Sequence, residues 1–246
     1  MLVRREEALP GLHERYPHAL FYVGDAASKS DCNAWIVKTI ETYGQLDLVI
    51  NNAAITGPGG KLDEVDFTEL EHTVCVDLLS PLFLCARAIP HLLRTNGVVI
   101  NLAGGGATGP RPNFTAYAIS KVALVRATEN LALEYPELRF YGVSPGLLNT
   151  NMMKDVLALG ADKVGLEVDQ ALRCQNEGGE DPRKAAELAL WLFENRPTHL
   201  SGKLISAIWD DYRNAPAHPE KAGWWTLRRV DDVCRKNLSE LPREAQ

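Results

Sequence analysis

A tyrosine and a lysine lie four residues apart, at Tyr117 and Lys121, shortly after an apolar run that ends in glycines. In a helix this spacing places both side chains on one face, with Cβ atoms about 5–6 Å apart. An ammonium group beside a phenol stabilises the phenolate and lowers the phenol pKa from about 10 toward neutral pH. Tyr117 is therefore a candidate general acid or base that exchanges a proton with a carbonyl or alcohol oxygen.

The elements that hold this pair alternate along the chain. Short apolar runs closed by turn residues predict strands, namely "ALFYVGD" at 19–25, "LDLVINNAA" at 46–54, "GVVINLAGG" at 97–105, "LRFYGVSPG" at 138–146 and "GKLISAI" at 202–208. Apolar residues at helical spacing predict helices over residues 28–43, 67–93, 114–135 and 182–194. This order predicts an α/β fold with a doubly wound parallel sheet, whose ligands bind at the carboxyl ends of the strands. Residues 151–180 are mixed and contain "NEGGEDP", which predicts a mobile loop.

Composition limits the kind of partner. The 246 residues suit a single domain, 1–246, in which residues 209–246 lose the alternation and are predicted to pack outside the sheet. A net charge of −6 does not indicate a basic surface that binds nucleic acid. No uninterrupted apolar run reaches the length of about 18 residues expected of a membrane span. Five cysteines without CxxC spacing indicate free thiols in the cytoplasm. The six histidines are scattered, which predicts no metal site.

Three short motifs add to the tyrosine–lysine pair. "NNAA" at 51–54, "YAISK" at 117–121 and "SPGLLNT" at 144–150 occur in order and spacing that resemble the short-chain dehydrogenase/reductase family, and the resemblance extends from about residue 25 to residue 207. It implies a Rossmann-like fold and NAD(P)-dependent hydride transfer between nicotinamide and the hydroxyl/carbonyl pair of a small alcohol or ketone. It also implies a homodimer or homotetramer, formed through the helices at 67–93 and 114–135.

The resemblance assigns roles to individual positions. It implies that Tyr117 is the catalytic acid/base and that Lys121 lowers the tyrosine pKa and holds the nicotinamide ribose. A basic residue, Arg4 or Arg5, falls at the position where family members bind the adenosine ribose, which favours NADP. An ordinary surface arginine without a cofactor role accounts for this residue equally well. The other cofactor contacts implied are Asp25, Ala26, Asn51, Ala53, Pro145, Gly146 and Thr150.

Two positions depart from the family pattern. The family's serine, which hydrogen-bonds the substrate oxygen, falls on Gly104, and its active-site asparagine falls on Asp77. A glycine supplies no hydroxyl, and losing one such donor costs about 10²–10³ in rate unless Thr108 or Thr115 replaces it. We therefore expect Gly104→Ser to leave activity unchanged or to raise it, because the substitution restores a donor.

The beginning of the chain also departs from the family. Family members start with a strand, a TGxxxGxG turn that receives the cofactor pyrophosphate, and a helix. Nothing in residues 1–50 matches this turn, and "LVRREEAL" resembles the end of the second strand, so about 30 or more residues are expected upstream. The first strand would lie between the strands that begin at Leu2 and Leu46. We therefore expect a gap in the sheet and weak binding of NAD(P)H.

Two classes of function remain open from the sequence. The first is an NAD(P)-dependent oxidoreductase, favoured by Tyr117 and Lys121. The alternative is a non-catalytic, dehydrogenase-like protein that binds a ligand or a partner, favoured by Gly104 and by the missing glycine turn.

Overall fold

The computed structural model describes residues 1–215 and 225–227, in which strands and helices alternate. The strands are β1 (Leu2–Val3), β2 (Tyr22–Val23), β3 (Leu48–Asn51), β4 (Val98–Leu102), β5 (Arg139–Ser144) and β6 (Leu204–Ser206). The helices are α1 (Leu9–Arg15), α2 (Lys29–Tyr43), α3 (Phe67–Val74), α4 (Ser80–Leu92), α5 (Thr115–Glu134), α6 (Asn151–Leu159), α7 (Ala161–Val164), α8 (Glu167–Glu177) and α9 (Pro182–Asn195). Each pairing of these strands is parallel, which confirms the predicted α/β class.

The strands form two separate sheets. β1 pairs with β2, and the larger sheet has the order β3-β4-β5-β6. Within the described residues no strand joins the two sheets, so β3 is an edge strand of the larger one. This separation agrees with the gap that the sequence predicts between the strands beginning at Leu2 and Leu46.

Helices cover both faces of the larger sheet. Along β4, Val98 and Ile100 point to one face and Val99 to the other, because side chains alternate along a strand. The first face packs against Leu188 and Leu192 of α9, and the second face packs against α2 and α4. Burial on both faces explains why the sequence of β4 is continuously apolar.

A long helix between β3 and β4 contains an irregular turn. α3 continues through a π-helical segment, Cys75–Leu79, into α4. Pro81 has no N–H to donate to the Asp77 carbonyl four residues earlier, and the wide π turn lies at this point. The whole helix, Phe67–Leu92, has 26 residues and is apolar enough by composition to cross a membrane. Half of its most apolar stretch is buried inside the fold, where it packs beside the sheet and α5.

Residues 151–180 are more regular than predicted. α6, α7 and α8 pack on the start of α5 and form the α6–α8 cluster, which consists of Phe114, Tyr117, Met153, Val156, Val164, Ala171 and Cys174. The predicted mobile loop is a turn in which Gly178 and Gly179 have positive φ angles of 95° and 67°. The Glu180 N–H then donates to the Leu147 carbonyl at 2.8 Å. The segment is therefore a hydrogen-bonded turn between α8 and α9, and its mobility stays a prediction.

The thiols and the C-terminal region complete the comparison with the sequence. Cys32, Cys85 and Cys174 are buried free thiols, and Cys75 is a half-buried free thiol, in agreement with the predicted free cysteines. Cys234 lies outside the described residues.

Most of the predicted extension at 209–246 also lies outside the described residues. In its described part, the Trp225 carbonyl accepts a hydrogen bond from the Leu204 N–H at 2.8 Å, so this segment runs beside β6.

Candidate active site

The carboxyl ends of β3, β4 and β5 lie at one edge of the larger sheet and bring several predicted site residues together. Asn51 ends β3, Gly104 follows β4 and Pro145 follows β5. The loop at 103–114 leads from β4 into α5, whose first turn contains Tyr117. The Tyr117 side chain belongs to the α6–α8 cluster and is only 5% exposed.

The Tyr117 hydroxyl lies where a side chain at position 104 would begin. A Cβ added to Gly104 would overlap Tyr117 Oη, and Tyr117 Cζ would be 3.2 Å from it. A side chain at position 104 would therefore have to displace the Tyr117 hydroxyl, so a serine cannot add a donor there without moving the tyrosine. This geometry argues against the expectation that Gly104→Ser leaves activity unchanged or raises it, and turnover of the variant tests that expectation. Thr108 and Thr115 are both exposed, which does not favour either as the replacement donor.

We expect Gly104→Ala to displace the Tyr117 hydroxyl. Overpacking of this kind costs about 1–3 kcal/mol of stability, and a misplaced catalytic group loses about 10²-fold in rate. Urea unfolding and steady-state turnover measure the two effects. Gly105→Ala is the matched control, because a Cβ at Gly105 meets no atom within 4 Å. Equal behaviour of the two variants would contradict the steric argument.

Lys121 and Asp77 form a buried ion pair behind the tyrosine. Lys121 Nζ lies 3.6 Å from Asp77 Oδ2, and their side chains are 3% and 0% exposed. Lys121 Nζ also donates to the Leu102 carbonyl at 3.3 Å, and Asp77 Oδ1 accepts from the Ile55 N–H at 2.9 Å. Burial raises the pKa of Asp77 and lowers that of Lys121, and in each case the partner's charge opposes the shift.

The acidity of Tyr117 differs from the expectation. Burial raises the pKa of Tyr117 to about 12, whereas the nearby charge of Arg111 lowers it and that of Asp77 raises it further. The Lys121 ammonium lies 5.4 Å from the centroid of the Tyr117 ring. The prediction of a pKa shifted toward neutral was wrong, because the spacing of two residues does not reveal how deeply the phenol is buried.

Arg111 is a site residue that the sequence reasoning missed. Its guanidinium carbon lies 4.9 Å from the Tyr117 ring centroid and 4.7 Å from that of Phe114. Its Nη2 donates to Glu167 Oε2 of α8 at 3.0 Å. The available signal was an arginine six residues before the tyrosine, but the path of the loop was needed to bring the two together.

The residues predicted to bind the cofactor fall in separate places. Asn51 is buried, and its Nδ2 donates to Asn101 Oδ1 at 2.7 Å, which ties β3 to β4. Arg4 is exposed and follows β1, close to the end of β2, since Val3 pairs with Val23. At the sheet edges, Ala53 and Thr150 are exposed, while Asp25, Ala26, Pro145 and Gly146 are partly buried.

Comparison with known proteins identifies the family. A family model described as enoyl-(acyl carrier protein) reductase matches residues 3–207. An uncharacterized oxidoreductase of Schizosaccharomyces pombe is 32% identical over 178 residues, which are 70% of this chain and 71% of that protein. The solved short-chain dehydrogenase/reductase from Saccharomyces cerevisiae shares the fold with a TM-score of 0.78 at 24% identity, over 88% of this chain and 85% of that one. The chain belongs to the short-chain dehydrogenase/reductase family.

Curated members of the short-chain dehydrogenase/reductase family extend beyond the matched region. The 11-beta-hydroxysteroid dehydrogenase-like protein 4A of Arabidopsis thaliana is 31% identical over 165 residues, which are 64% of this chain and 55% of that protein. The match therefore spans about half the length of such relatives. The solved family member from Caenorhabditis elegans with cofactor has a TM-score of 0.71 at 21% identity, over 83% of this chain and 82% of that one.

The residues present fit one half of the dinucleotide that the family uses. Lys121 offers an ammonium for ribose hydroxyls, and Thr150 makes no side-chain capping bond to α6, so its hydroxyl has donor and acceptor capacity left. For the pyrophosphate half, the backbone amides of a glycine-rich turn are needed. Residues 1–50 contain no such turn. The described chain therefore fits the nicotinamide ribose and lacks the pyrophosphate cradle.

Proposed function

We propose that this protein is an NAD(P)-dependent oxidoreductase acting on the hydroxyl/carbonyl pair of a small alcohol or ketone. The observation that carries the proposal is Tyr117 at the carboxyl end of β4, backed by the buried Lys121–Asp77 pair. A phenol at this edge lies where ligands of open α/β sheets bind. Family membership supports the same reaction class.

The chain's own residues would manage the proton. With a pKa of about 12 the Tyr117 phenol is protonated at neutral pH, so it suits donation to a carbonyl oxygen during reduction. In the opposite direction the phenolate accepts the alcohol proton, so oxidation should accelerate as the pH rises. Nicotinamide, when bound, supplies or accepts the hydride. The apolar side chains of the α6–α8 cluster exclude water and favour a substrate with an apolar skeleton.

Family membership implies NAD(P) as the cofactor, and we propose a preference for NADP. Lys121, Pro145, Gly146 and Thr150 would serve the nicotinamide ribose and amide, and Asp25 and Ala26 the adenine. Asn51 and Ala53 would form the turn beside the cofactor. The exposed Arg4 would pair with a 2′-phosphate, which only NADP carries.

Arg4→Ala should weaken NADPH binding about tenfold, the usual worth of a charged hydrogen bond, and leave NADH binding unchanged. Nucleotide fluorescence titration measures both constants, and we expect both to be weak because the pyrophosphate cradle is missing. Arg5→Ala tests the neighbouring arginine, and the exposed Arg94 provides a control substitution. Equal losses for NADH and NADPH would contradict the NADP preference, and micromolar NADH binding would contradict the weak affinity.

The proposed activity is tested by measuring nicotinamide-coupled turnover over a panel of secondary alcohols and ketones. Tyr117→Phe serves as the inactive reference. The reported relatives with a printed activity bear oxidoreductase or dehydrogenase names. Gly104 and the absence of a glycine turn in residues 1–50 are the features that favour the non-catalytic alternative, whereas family membership favours the oxidoreductase. Absence of turnover on the whole panel, in a form of the protein that binds the cofactor, would favour that alternative, whereas turnover that survives in Tyr117→Phe would contradict the role of Tyr117.

We also propose that the protein is cytoplasmic, and that residues 209–246 pack outside the sheet within a single domain.

We further propose that the protein forms a homodimer or homotetramer. Exposed apolar side chains on the two predicted contact helices support this assembly. They include Leu79 at 50%, Ile119 at 46% and Val122 at 37% exposure. Light scattering that gives the mass of one chain would contradict the assembly.

A further inference from the structure

Arg111 is held between aromatic rings and a carboxylate. Its guanidinium carbon lies 4.7 Å from the Phe114 ring centroid and 4.9 Å from that of Tyr117. Its Nε and Nη2 both donate to Glu167 Oε2, at 3.2 and 3.0 Å. The Arg111 and Glu167 side chains are 10% and 22% exposed, so water screens the pair weakly. Stacking on rings and in-plane bonding to a carboxylate are both particular to arginine.

Charged groups face the Tyr117 phenol from the elements packed around it. Lys121 comes from α5, Asp77 from the π-helical segment, Arg111 from the loop at 103–114, and Glu167 from α8 by way of Arg111. Lys121 Nζ lies 3.6 Å from the Asp77 carboxylate and 5.4 Å from the Tyr117 ring centroid, so a carboxylate balances much of its charge. Arg111 is the cation that counteracts burial at the phenol.

We propose that Arg111 is the positioning residue that stabilises the ionised form of Tyr117, and that Glu167 tunes this effect from α8. When the phenol releases its proton, negative charge develops on Oη, and a nearby cation in a water-poor site stabilises that charge. Glu167 balances part of the Arg111 charge, so neutralising Glu167 strengthens the effect of Arg111 on Tyr117. The catalytic consequence rests on the proposed function, whereas the electrostatic coupling does not.

Fluorine NMR on the full chain with difluorotyrosine at position 117 tests the coupling directly. The fluorines withdraw electrons and bring the phenol titration into an accessible pH range. Arg111→Met removes the cation and should raise the titration midpoint by about one pH unit or more. Glu167→Gln keeps an acceptor for Arg111 but removes the negative charge, so it should lower the midpoint. The two variants shift the midpoint in opposite directions, which a purely structural role does not produce.

Two further variants keep the test independent of folding defects. Arg111→Lys retains the charge and should give a midpoint between those of wild type and Arg111→Met. Arg87→Met is the matched control, because Arg87 also lies over a ring, 5.8 Å from the Phe83 centroid, and bonds to Asn33 at 3.1 Å, but it is exposed and remote from Tyr117. This control should leave the midpoint unchanged.

The outcomes separate the inference from the proposed function. A wild-type midpoint in Arg111→Met overturns the inference, even where Tyr117→Phe abolishes turnover and so supports the oxidoreductase. A raised midpoint in Arg111→Met supports the inference, even where the panel gives no turnover and the oxidoreductase proposal fails. A midpoint raised rather than lowered in Glu167→Gln overturns the proposed tuning from α8.

Discussion

Replacing Tyr117 with phenylalanine should lower kcat by about 10²–10⁴, the usual contribution of a positioned acid or base. The substitution removes only the hydroxyl, and the ring keeps its packing in the α6–α8 cluster. The loss should appear in kcat more than in KM, because proton donation acts in the transition state. Steady-state kinetics measure kcat and KM with a nicotinamide cofactor and the best substrate of the panel. The experiment uses a form of the protein that binds the cofactor.

A buried tyrosine elsewhere in the fold supplies the control for this result. Tyr141 is fully buried, and its hydroxyl donates to the Pro197 carbonyl at 3.1 Å, on the face of the sheet covered by α9. Tyr141→Phe should therefore reduce stability slightly and leave kcat unchanged. Full turnover in Tyr117→Phe would falsify the proposed mechanism, and an equal loss in both variants would indicate damage to the fold.

Asp77→Ala should destabilise the protein by about 3–5 kcal/mol, because it leaves the buried Lys121 ammonium without a counter-charge. It also removes the acceptor for the Ile55 N–H. Asp77→Asn retains an acceptor oxygen and should cost less than Asp77→Ala. Urea unfolding followed by circular dichroism measures both losses.

An exposed ion pair provides the reference for this prediction. Lys38 and Glu41 lie 3.5 Å apart in α2 with side chains 54% and 60% exposed, so Glu41→Ala should cost less than about 1 kcal/mol. A loss for Asp77→Ala no larger than that for Glu41→Ala would mean that water reaches Lys121. The buried pair would then contribute little to stability.

Much of the fold could be predicted because its signals are local. α2 begins after Ser28, whose hydroxyl accepts from the Asp31 N–H at 3.2 Å, and it ends at Gly44 with a φ of 78°. α9 begins after Asp181, which caps the Arg183 N–H, with a proline in the first turn. Such residues mark helix ends through their own backbone chemistry. The alternation of apolar runs then predicts the sheet.

The site was less predictable because its properties depend on distant residues. The motif containing Tyr117 and Lys121 indicated where the proton chemistry lies, and the structure places both residues at the expected edge. The motif alone could not show that the Tyr117 hydroxyl occupies the space beside Gly104. Nor could it show that the loop at 103–114 places Arg111 over the ring. Burial and the approach of α8 determine the acidity of the phenol, and neither is encoded in the spacing of the motif.

The separate α6–α8 cluster has a consequence for how the protein opens. Its apolar residues pack with Phe114 and Tyr117 and are distinct from the two cores on the faces of the sheet. Sub-global unfolding follows such divisions, since a unit with its own cluster can detach while the rest remains folded. Amides of α6 and α8 should therefore exchange with solvent deuterium sooner than those of β4 and β5. Access to Tyr117 then requires only a local opening, and the sheet that aligns the site remains intact throughout.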